Sequence, residues 1–129
     1  MDERKTWFKK YGSKYPLIVA ELNGQVVGYS CLNPFREKAA YCLTTELSIY
    51  ISKEHRGKGI GTSLMEEILK RATKIGFHVV ISGITGGNQA SVKLHEKFGF
   101  EFAGCLKEVG FKFGEWQDVH FYQLMIEPQ

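Results

Sequence analysis

A glycine-rich segment between a strand-like run and a helix-like run constrains this chain most strongly. It reads His55-Arg56-Gly57-Lys58-Gly59-Ile60-Gly61-Thr62, follows the apolar run 47–51 and precedes an amphipathic run over 62–74. A strand, a glycine loop and a helix in this order direct backbone N–H groups at an anion, and glycine lets the backbone approach a phosphate closely. The segment therefore predicts a site for a phosphorylated ligand. The alternative is a glycine-rich turn that only lets a helix begin.

The glycine spacing excludes two common phosphate-binding motifs. A Walker A loop places its lysine after the last glycine, whereas Lys58 lies between Gly57 and Gly59. A dinucleotide fingerprint has the spacing Gly-x-Gly-x-x-Gly and an acidic residue about 20 residues later, and the run 78–82 has no acid. The pattern that remains is Arg56-x-x-Gly59-x-Gly61.

Length and composition indicate a single soluble domain over residues 1–129. Hydrophobic residues make up 43% of the chain and charged residues 24%, as in ordinary globular domains. The net charge of +3 is too small to favour nucleic acid, and no apolar run is long enough to span a membrane. The three cysteines form no Cys-x-x-Cys pair, so neither a metal site nor a disulfide framework is expected. Without an apolar leader at the start, the chain is expected in the cytoplasm.

Hydrophobic periodicity and turn residues predict an alternation of strands and helices. A short helix is expected over 2–11, and Asn23-Gly24 predicts a tight hairpin turn. Asn88 is placed to cap a helix, and an aromatic-rich loop is expected between the last two strands. The expected strands cover 17–22, 25–32, 41–51, 77–84, 100–106 and 119–126, and the further helices cover 62–74 and 89–98. This order implies an α/β (α+β) fold with a mixed sheet, helices on both faces and a right-handed strand–helix–strand crossover.

Three ordered stretches resemble the GNAT superfamily of N-acetyltransferases. They are the Arg56 loop with its helix, the strand over 77–84, and Asn88 followed by Leu94-His95-Glu96-Lys97-Phe98-Gly99-Phe100. Within the superfamily, the chain resembles the phosphinothricin N-acetyltransferase family through Phe35-Arg36, Ala40-Tyr41, the run 46–51 and the tail 109–119.

The resemblance implies a GNAT-like mixed, mostly antiparallel sheet, acetyl-CoA as co-substrate without a metal, and a homodimer. Members of the family usually begin with a strand and a helix before the segment that matches 3–8. The resemblance therefore also implies that this N-terminal strand and helix are lacking here.

The resemblance assigns coenzyme contacts to the glycine loop, to the strand before it and to one helix cap. Loop N–H groups and the following helix dipole would bind the pyrophosphate, and a strand that separates from its neighbour could bind the pantetheine amides. The cap role alone explains Asn88, so its coenzyme contact depends on the resemblance. The expected contacts are Ile49, Tyr50, Ile51, Arg56, Gly57, Lys58, Gly59, Ile60, Gly61, Thr62 and Asn88.

Two residues are candidates for proton transfer. Glu46 lies on the polar face of the predicted strand 41–51, and the family pattern also places a proposed base there. Its alternatives are an exposed strand carboxylate or an ion-pair partner of Arg36. His95 is the candidate acid for the departing thiolate, at a point where many GNAT members carry tyrosine, and histidine can donate a proton near neutral pH. Its alternative is a helix histidine that packs beside Phe98 or Val92.

By resemblance, the acceptor site would be shaped by Trp116, Asp118, His120 and the loop Phe111-Lys112-Phe113, together with Arg36. Lys112 or Arg36 could bind an acceptor carboxylate and Asp118 an ammonium group, although aromatic residues of this loop are equally suited to a core or an interface. The expected acceptor is the α-amine of a small amino-acid analogue, such as phosphinothricin or methionine sulfone or sulfoximine. The alternatives are another amine (a polyamine, an aminoglycoside or a protein N-terminus) and a non-catalytic acetyl-CoA-binding module.

Overall fold

A computed structural model describes residues 4–10, 14–36 and 38–126 of the chain. The described elements form one seven-stranded sheet, in the order β1-β2-β3-β4-β5-β7-β6, with two α-helices. Every neighbouring pair is antiparallel except β4 and β5, which are parallel. The elements are β1 (Arg4–Lys10), β2 (Pro16–Leu22), β3 (Gln25–Pro34), β4 (Thr44–Ile51), α1 (Ile60–Ile75), β5 (Val79–Thr85), α2 (Gln89–Lys97), β6 (Glu101–Lys112) and β7 (Glu115–Met125).

The predicted mixed, mostly antiparallel sheet is confirmed, but the placement of the helices differs from the prediction. Ser30 of β3 donates its hydroxyl to the Leu64 carbonyl of α1 at 3.2 Å, and Ser82 of β5 contacts His95 of α2 at 2.8 Å. The register places Ser30 and Ser82 on one face, because Leu47 pairs with both Leu32 and Ser82. Both described helices therefore pack on the same face.

The direction of the crossovers explains this arrangement. The chain moves from β4 to β5 and then from β5 past β7 to β6, in the same direction across the sheet. Since strand–helix–strand crossovers between parallel strands are right-handed, two crossovers in one direction place their helices on one face. Sequence periodicity specifies the helices but does not specify the order of the strands, so it could not predict which face each helix covers.

The apolar stripe of α1 and the inner face of the sheet form the core. Leu64, Met65 and Ile68 recur at helical spacing and are fully buried. Gly76 ends this helix with φ 105° and donates its N–H to the Ala72 carbonyl. The core consists of Ile18, Ala20, Val27, Leu32, Leu47, Ile60, Leu64, Met65, Ile68, Ala72, Phe77, Val80, Ile84, Phe100 and Tyr122. No helix in the described part of the chain is long and apolar enough to cross a membrane.

The helix predicted over 2–11 is wrong for residues 4–10, which form β1; residues 2, 3 and 11 lie outside the described residues. β1 pairs with β2 from Arg4 opposite Leu22 to Lys10 opposite Pro16. A helix of about ten residues is marginal on its own in water, and threonine, tryptophan and phenylalanine favour strands. Pairing with the edge of β2 therefore outweighs the local tendency of this segment to form a helix.

Two hairpin turns show how far local sequence predicts this sheet. Asn23 and Gly24 both have positive φ (54° and 81°), which confirms the predicted turn. The aromatic-rich loop predicted over 107–118 is wrong, because β6 and β7 form a long hairpin whose turn is Phe113-Gly114. Register shifts between Phe102 and Gly104 and between Leu106 and Gly110 interrupt the alternation, which hides the strand from a period-two pattern.

The β4–β5 pairing ends before either strand does. It extends from Thr44 opposite Val79 to Leu47 opposite Ser82, although β4 continues to Ile51 and β5 to Thr85. Residues 48–51 remain paired with β3 and residues 83–85 with β7, but the two segments do not pair with each other, and we call them the fork. Beyond Leu47 and Ser82, the edge of β4 that faces β5 makes no ladder hydrogen bonds with it.

A buried histidine supports the last pair before the fork. The His95 ring is fully buried, with Nδ1 2.7 Å from the Ser91 carbonyl and Nε2 2.8 Å from Ser82 Oγ. Because a carbonyl only accepts, Nδ1 carries a proton and the neutral ring accepts the Ser82 hydroxyl at Nε2. Burial lowers the pKa of His95 below its ordinary value of 6.5, although the hydrogen bond to Ser91 acts in the opposite direction.

We expect Gly28→Ala to destabilise the fold where β3 packs against β4 and Leu64 of α1. A Cβ at Gly28 would lie 2.7 Å from the Tyr50 carbonyl oxygen, a backbone atom, and 3.3 Å from Leu64 Cδ1. Overpacking of this kind costs about 1–3 kcal/mol, measurable as a lower free energy of unfolding in urea. Gly104→Ala is the matched control, since its Cβ would meet nothing within 4 Å. Equal losses in the two variants would contradict this packing.

We expect the free energy of unfolding to fall as the pH drops below about 6.5. The folded pKa of His95 is below the unfolded one, so between the two values the unfolded chain binds more protons and stability rises with pH. His95→Gln should remove this contribution and flatten the profile between pH 7 and 5, measured by urea denaturation at each pH. The control is His78→Gln at an exposed position. An unchanged slope in His95→Gln would refute the assignment.

Candidate functional site

A cavity of about 400 Å3 opens where β4, the glycine loop and α2 meet. Its walls are the last residues of β4, the loop before α1 and the first turns of α2. The lining residues are Ile49, Tyr50, Ile51, His55, Arg56, Gly57, Gly59, Gly61, Thr62, Asn88, Ala90, Ser91, Lys93 and Leu94. The β4 side of the fork thus forms one wall of the cavity, with the edge that does not pair with β5.

The start of α1 is suited to an anion. Gly59 precedes the helix with φ 82°, and no side chain caps the first turn. That turn also has no acidic residue, so its N–H groups and the positive end of the helix dipole are available to a ligand. A Cβ at Gly61 would lie 2.7 Å from Ile51 Cδ1, so glycine lets the helix start close against β4.

The charge of the lining suits the same kind of ligand. Arg56 and Lys93 are exposed at the cavity and no Asp or Glu lines it. Arg56 donates Nε–H to the Ile51 carbonyl at 3.2 Å, which fixes its stem at the end of β4. Cationic side chains beside an uncapped helix start favour phosphate groups.

The second helix adds a polar group at the opposite wall. Asn88 Oδ1 accepts the Ser91 N–H at 3.2 Å and so caps α2 as predicted. Its amide NH2 is not used by this cap. Asn88 can therefore cap the helix and still donate to a ligand in the cavity.

The structure brings together nine of the eleven predicted coenzyme residues around this one cavity. The two that do not line it are Lys58, which is exposed beside the loop, and Ile60, which is 2% exposed and belongs to the core. The sequence did not single out Lys93 and Leu94 as lining residues. They lie three and four residues after Ala90, another lining residue, and residues at this spacing share a helix face.

Glu46 lies near the base of the fork, on the face of the sheet that the described helices leave open. It is half-buried and pairs with Asn33 of β3. It precedes Leu47, the last residue of β4 that is paired with β5. The alternative ion pair with Arg36 does not form. The Arg36 guanidinium instead lies 4.9 Å above the Phe35 ring. The carboxylate is thus placed to meet a ligand that arrives from the open face.

His95 lies outside the lining of the cavity. Both ring nitrogens are occupied by Ser91 and Ser82, and Phe100 packs edge-on at 4.9 Å. These contacts are those of a packed histidine. They also hold Ser82, the last residue of β5 that is paired with β4, in place.

The predicted acceptor residues are dispersed. Lys112 and Trp116 flank the turn of the β6–β7 hairpin and are exposed, with Trp116 against Phe111 at 4.9 Å. Asp118 accepts the Glu108 N–H at 2.9 Å and stabilises the second bulge of β6. Its strand position shares the face of Tyr122, which is opposite that of Glu46. The structure does not bring these residues together around one site.

Comparisons with known proteins identify a family for the chain. Residues 1–100 match the Acetyltransferase (GNAT) family. An L-methionine sulfoximine/L-methionine sulfone acetyltransferase of Pseudomonas paraeruginosa is 39% identical over 127 residues, which are 97% of this chain and 74% of the relative. A phosphinothricin N-acetyltransferase of Streptomyces viridochromogenes is 38% identical over 110 residues, which are 85% of this chain and 60% of that protein.

A solved structure shows the same fold. The phosphinothricin acetyltransferase of Sinorhizobium meliloti, in complex with AcCoA, superposes with a TM-score of 0.82 at 41% identity, over 92% of this chain and 68% of that one. The predicted resemblance to GNAT acetyltransferases of the phosphinothricin type is confirmed. The chain belongs to the GNAT family of acetyltransferases.

Proposed function

We propose that the chain transfers the acetyl group of acetyl-CoA to the α-amine of a small amino-acid analogue, such as methionine sulfone, methionine sulfoximine or phosphinothricin. The observation that carries the proposal is the fork, whose open end meets an uncapped helix start and cationic side chains. The class of acceptor is supported by the named activities of relatives at 38–39% identity.

In this proposal the coenzyme binds through backbone groups. The N–H groups from Gly57 to Thr62 receive the pyrophosphate, with Arg56, Lys58 and Lys93 nearby as positive charges. The unpaired edge of β4 at 49–51 hydrogen-bonds the pantetheine amides, as an added strand would. A backbone N–H of the same edge polarises the thioester carbonyl, which places its oxygen in a site for developing negative charge.

The amine attacks the thioester carbon directly, without an acyl-enzyme. An α-amine has a pKa of about 7.7–8.0, so at neutral pH it must lose one proton before attack. Glu46 accepts this proton on the open face of the sheet, and the neutral amine forms the new C–N bond at the thioester carbon. The C–S bond then breaks and the coenzyme leaves as a thiolate, which takes up, through solvent, the extra proton that the attacking nitrogen releases. Because His95 is fully buried and both of its ring nitrogens are hydrogen-bonded, to Ser91 and Ser82, we propose that it acts as a positioning residue for the fork rather than as the acid.

Arg36 is the favoured group for an acceptor carboxylate. It follows the end of β3, close in sequence to Asn33, which pairs with Glu46, and it is exposed without an ion pair to that carboxylate. A guanidinium binds a carboxylate in bidentate geometry. Lys112, Trp116 and Asp118 remain secondary candidates, since their hairpin would have to approach the face of Glu46.

We further propose a cytoplasmic homodimer. The three cysteines are free, which fits a reducing compartment. Large aromatic side chains are exposed on the β6–β7 hairpin, with Phe113 95% and Trp116 63% exposed. Exposed apolar groups of this size favour a protein interface.

The decisive test of the proposed reaction is an assay of coenzyme thiol release with acetyl-CoA and a panel of amines. Methionine sulfone, methionine sulfoximine and phosphinothricin should give turnover, whereas a polyamine and an aminoglycoside should not. Preference for a polyamine would overturn the acceptor class. Binding of acetyl-CoA without turnover on any amine would leave a binding module in place of an enzyme.

Glu46→Gln should lower kcat/KM by about 10²–10⁴-fold at pH 7, because it removes the general base while retaining the size of the side chain. Coenzyme affinity, measured by calorimetry, should stay unchanged, since Glu46 does not line the cavity. Glu101→Gln, at an exposed position of β6, is the matched control. Wild-type kcat/KM in Glu46→Gln would exclude the residue as the base.

A further inference from the structure

Three side chains that can bind a metal converge on the β6–β7 hairpin, outside the cavity described above. Cys105, Asp118 and His120 each present one ligand atom, and these atoms all lie within 4.8 Å of one another. All three residues are half-buried. We propose that Cys105, Asp118 and His120 form a binding site for a zinc-class divalent cation.

The strand register assembles this cluster. Cys105 pairs directly across the hairpin with His120, and Asp118 lies two residues before His120, on the same face of β7. Cys105 lies between the two register shifts of β6, and Asp118 lies opposite the second one. Bulges of this kind redirect side chains locally, so donors that are far apart in the sequence meet at one point.

The donor atoms have capacity for a ligand. Among the described residues, neither the Cys105 sulfur nor the His120 ring makes a hydrogen bond. The His120 ring packs against Phe102, with centroids 5.9 Å apart. Asp118 accepts one backbone N–H from Glu108 at 2.9 Å, and a carboxylate has about four acceptor positions. That hydrogen bond orients the carboxylate as outer contacts do in known metal sites.

The chemistry of the donors selects the ion. A thiolate, an imidazole and a carboxylate suit Zn²⁺, which takes tetrahedral coordination from sulfur, nitrogen and oxygen. From the usual bond lengths, ligand atoms around zinc lie about 3.3–3.6 Å apart, so side-chain adjustments of about 1 Å would close the site. Binding releases the thiol proton to solvent, and the charges of thiolate and carboxylate then balance the ion. Water would take the fourth position.

The ion would connect the hairpin to the rest of the fold. The Asp118 carbonyl accepts the Gly86 N–H at 2.9 Å, and Gly86 lies two residues before Asn88, which lines the coenzyme cavity. The proposal does not depend on the acetyl-transfer activity, since none of the three ligands lines that cavity. It predicts a structural effect that can be measured without any substrate.

Cobalt titration of the metal-free, chelator-treated protein tests the site directly. The wild type should bind one Co²⁺ per chain, with a thiolate-to-cobalt charge-transfer band and the intense visible bands of tetrahedral cobalt, and Zn²⁺ should abolish both. Cys105→Ser should lose the charge-transfer band, and His120→Asn should weaken Co²⁺ binding at least about 100-fold, since loss of an outer contact alone costs 10–100-fold. Cys42→Ser and His78→Asn, both at exposed positions, should behave as wild type.

The thermal midpoint of the wild-type protein provides a test without mutation. Excess Zn²⁺ should raise Tm, because an ion that binds only the folded chain stabilises it by mass action, and Mg²⁺ should not. The proposal would be overturned if the wild type gave no cobalt spectrum, or if the charge-transfer band were still present in Cys105→Ser. A folded Asp118→Asn protein that binds Co²⁺ as tightly as wild type would exclude Asp118 as a ligand.

Discussion

The separation of β4 from β5 is the constraint on which the candidate site depends. Parallel pairing stops at Leu47 and Ser82, and each strand continues without the other. The Ser82 hydroxyl at this point contacts the buried His95 ring, so α2 is anchored where the two strands separate. One wall of the cavity is therefore an unpaired strand edge, a surface that a sheet normally covers.

The same arrangement explains why the two helices carry different parts of the site. Both lie on one face, but they offer different groups to the cavity. The first turn of α1 has no side-chain cap, whereas Asn88 caps α2 through its Oδ1 and keeps its amide NH2 for a ligand. Glu46 lies on the opposite face of the sheet, where the described helices do not cover it. The fork joins the two sides, so a ligand bound among the helices can reach a group on the open face.

Local signals in the sequence predicted the elements that depend on neighbours in the chain. The glycine loop, the Asn23-Gly24 turn and the Asn88 cap each follow from the backbone conformation or hydrogen bond that a few residues require. The strand β1 and the bulged hairpin depend on pairing between distant segments, and their local patterns were misleading. The cluster of Cys105, Asp118 and His120 escaped sequence analysis for the same reason, since only the cross-strand register brings the donors together.

Backbone amide NMR during titration with acetyl-CoA tests the central claim that the fork and the glycine loop form the coenzyme site. The account predicts the largest changes in chemical shift at the amides of Gly57, Gly59 and Gly61, together with Tyr50 and Ile51 on the free edge of β4. Residues of β1 and β2 should change little, since these strands lie three and two positions away from β4 in the sheet. Shifts that leave both the loop and the edge of β4 unchanged while acetyl-CoA binds would contradict the account.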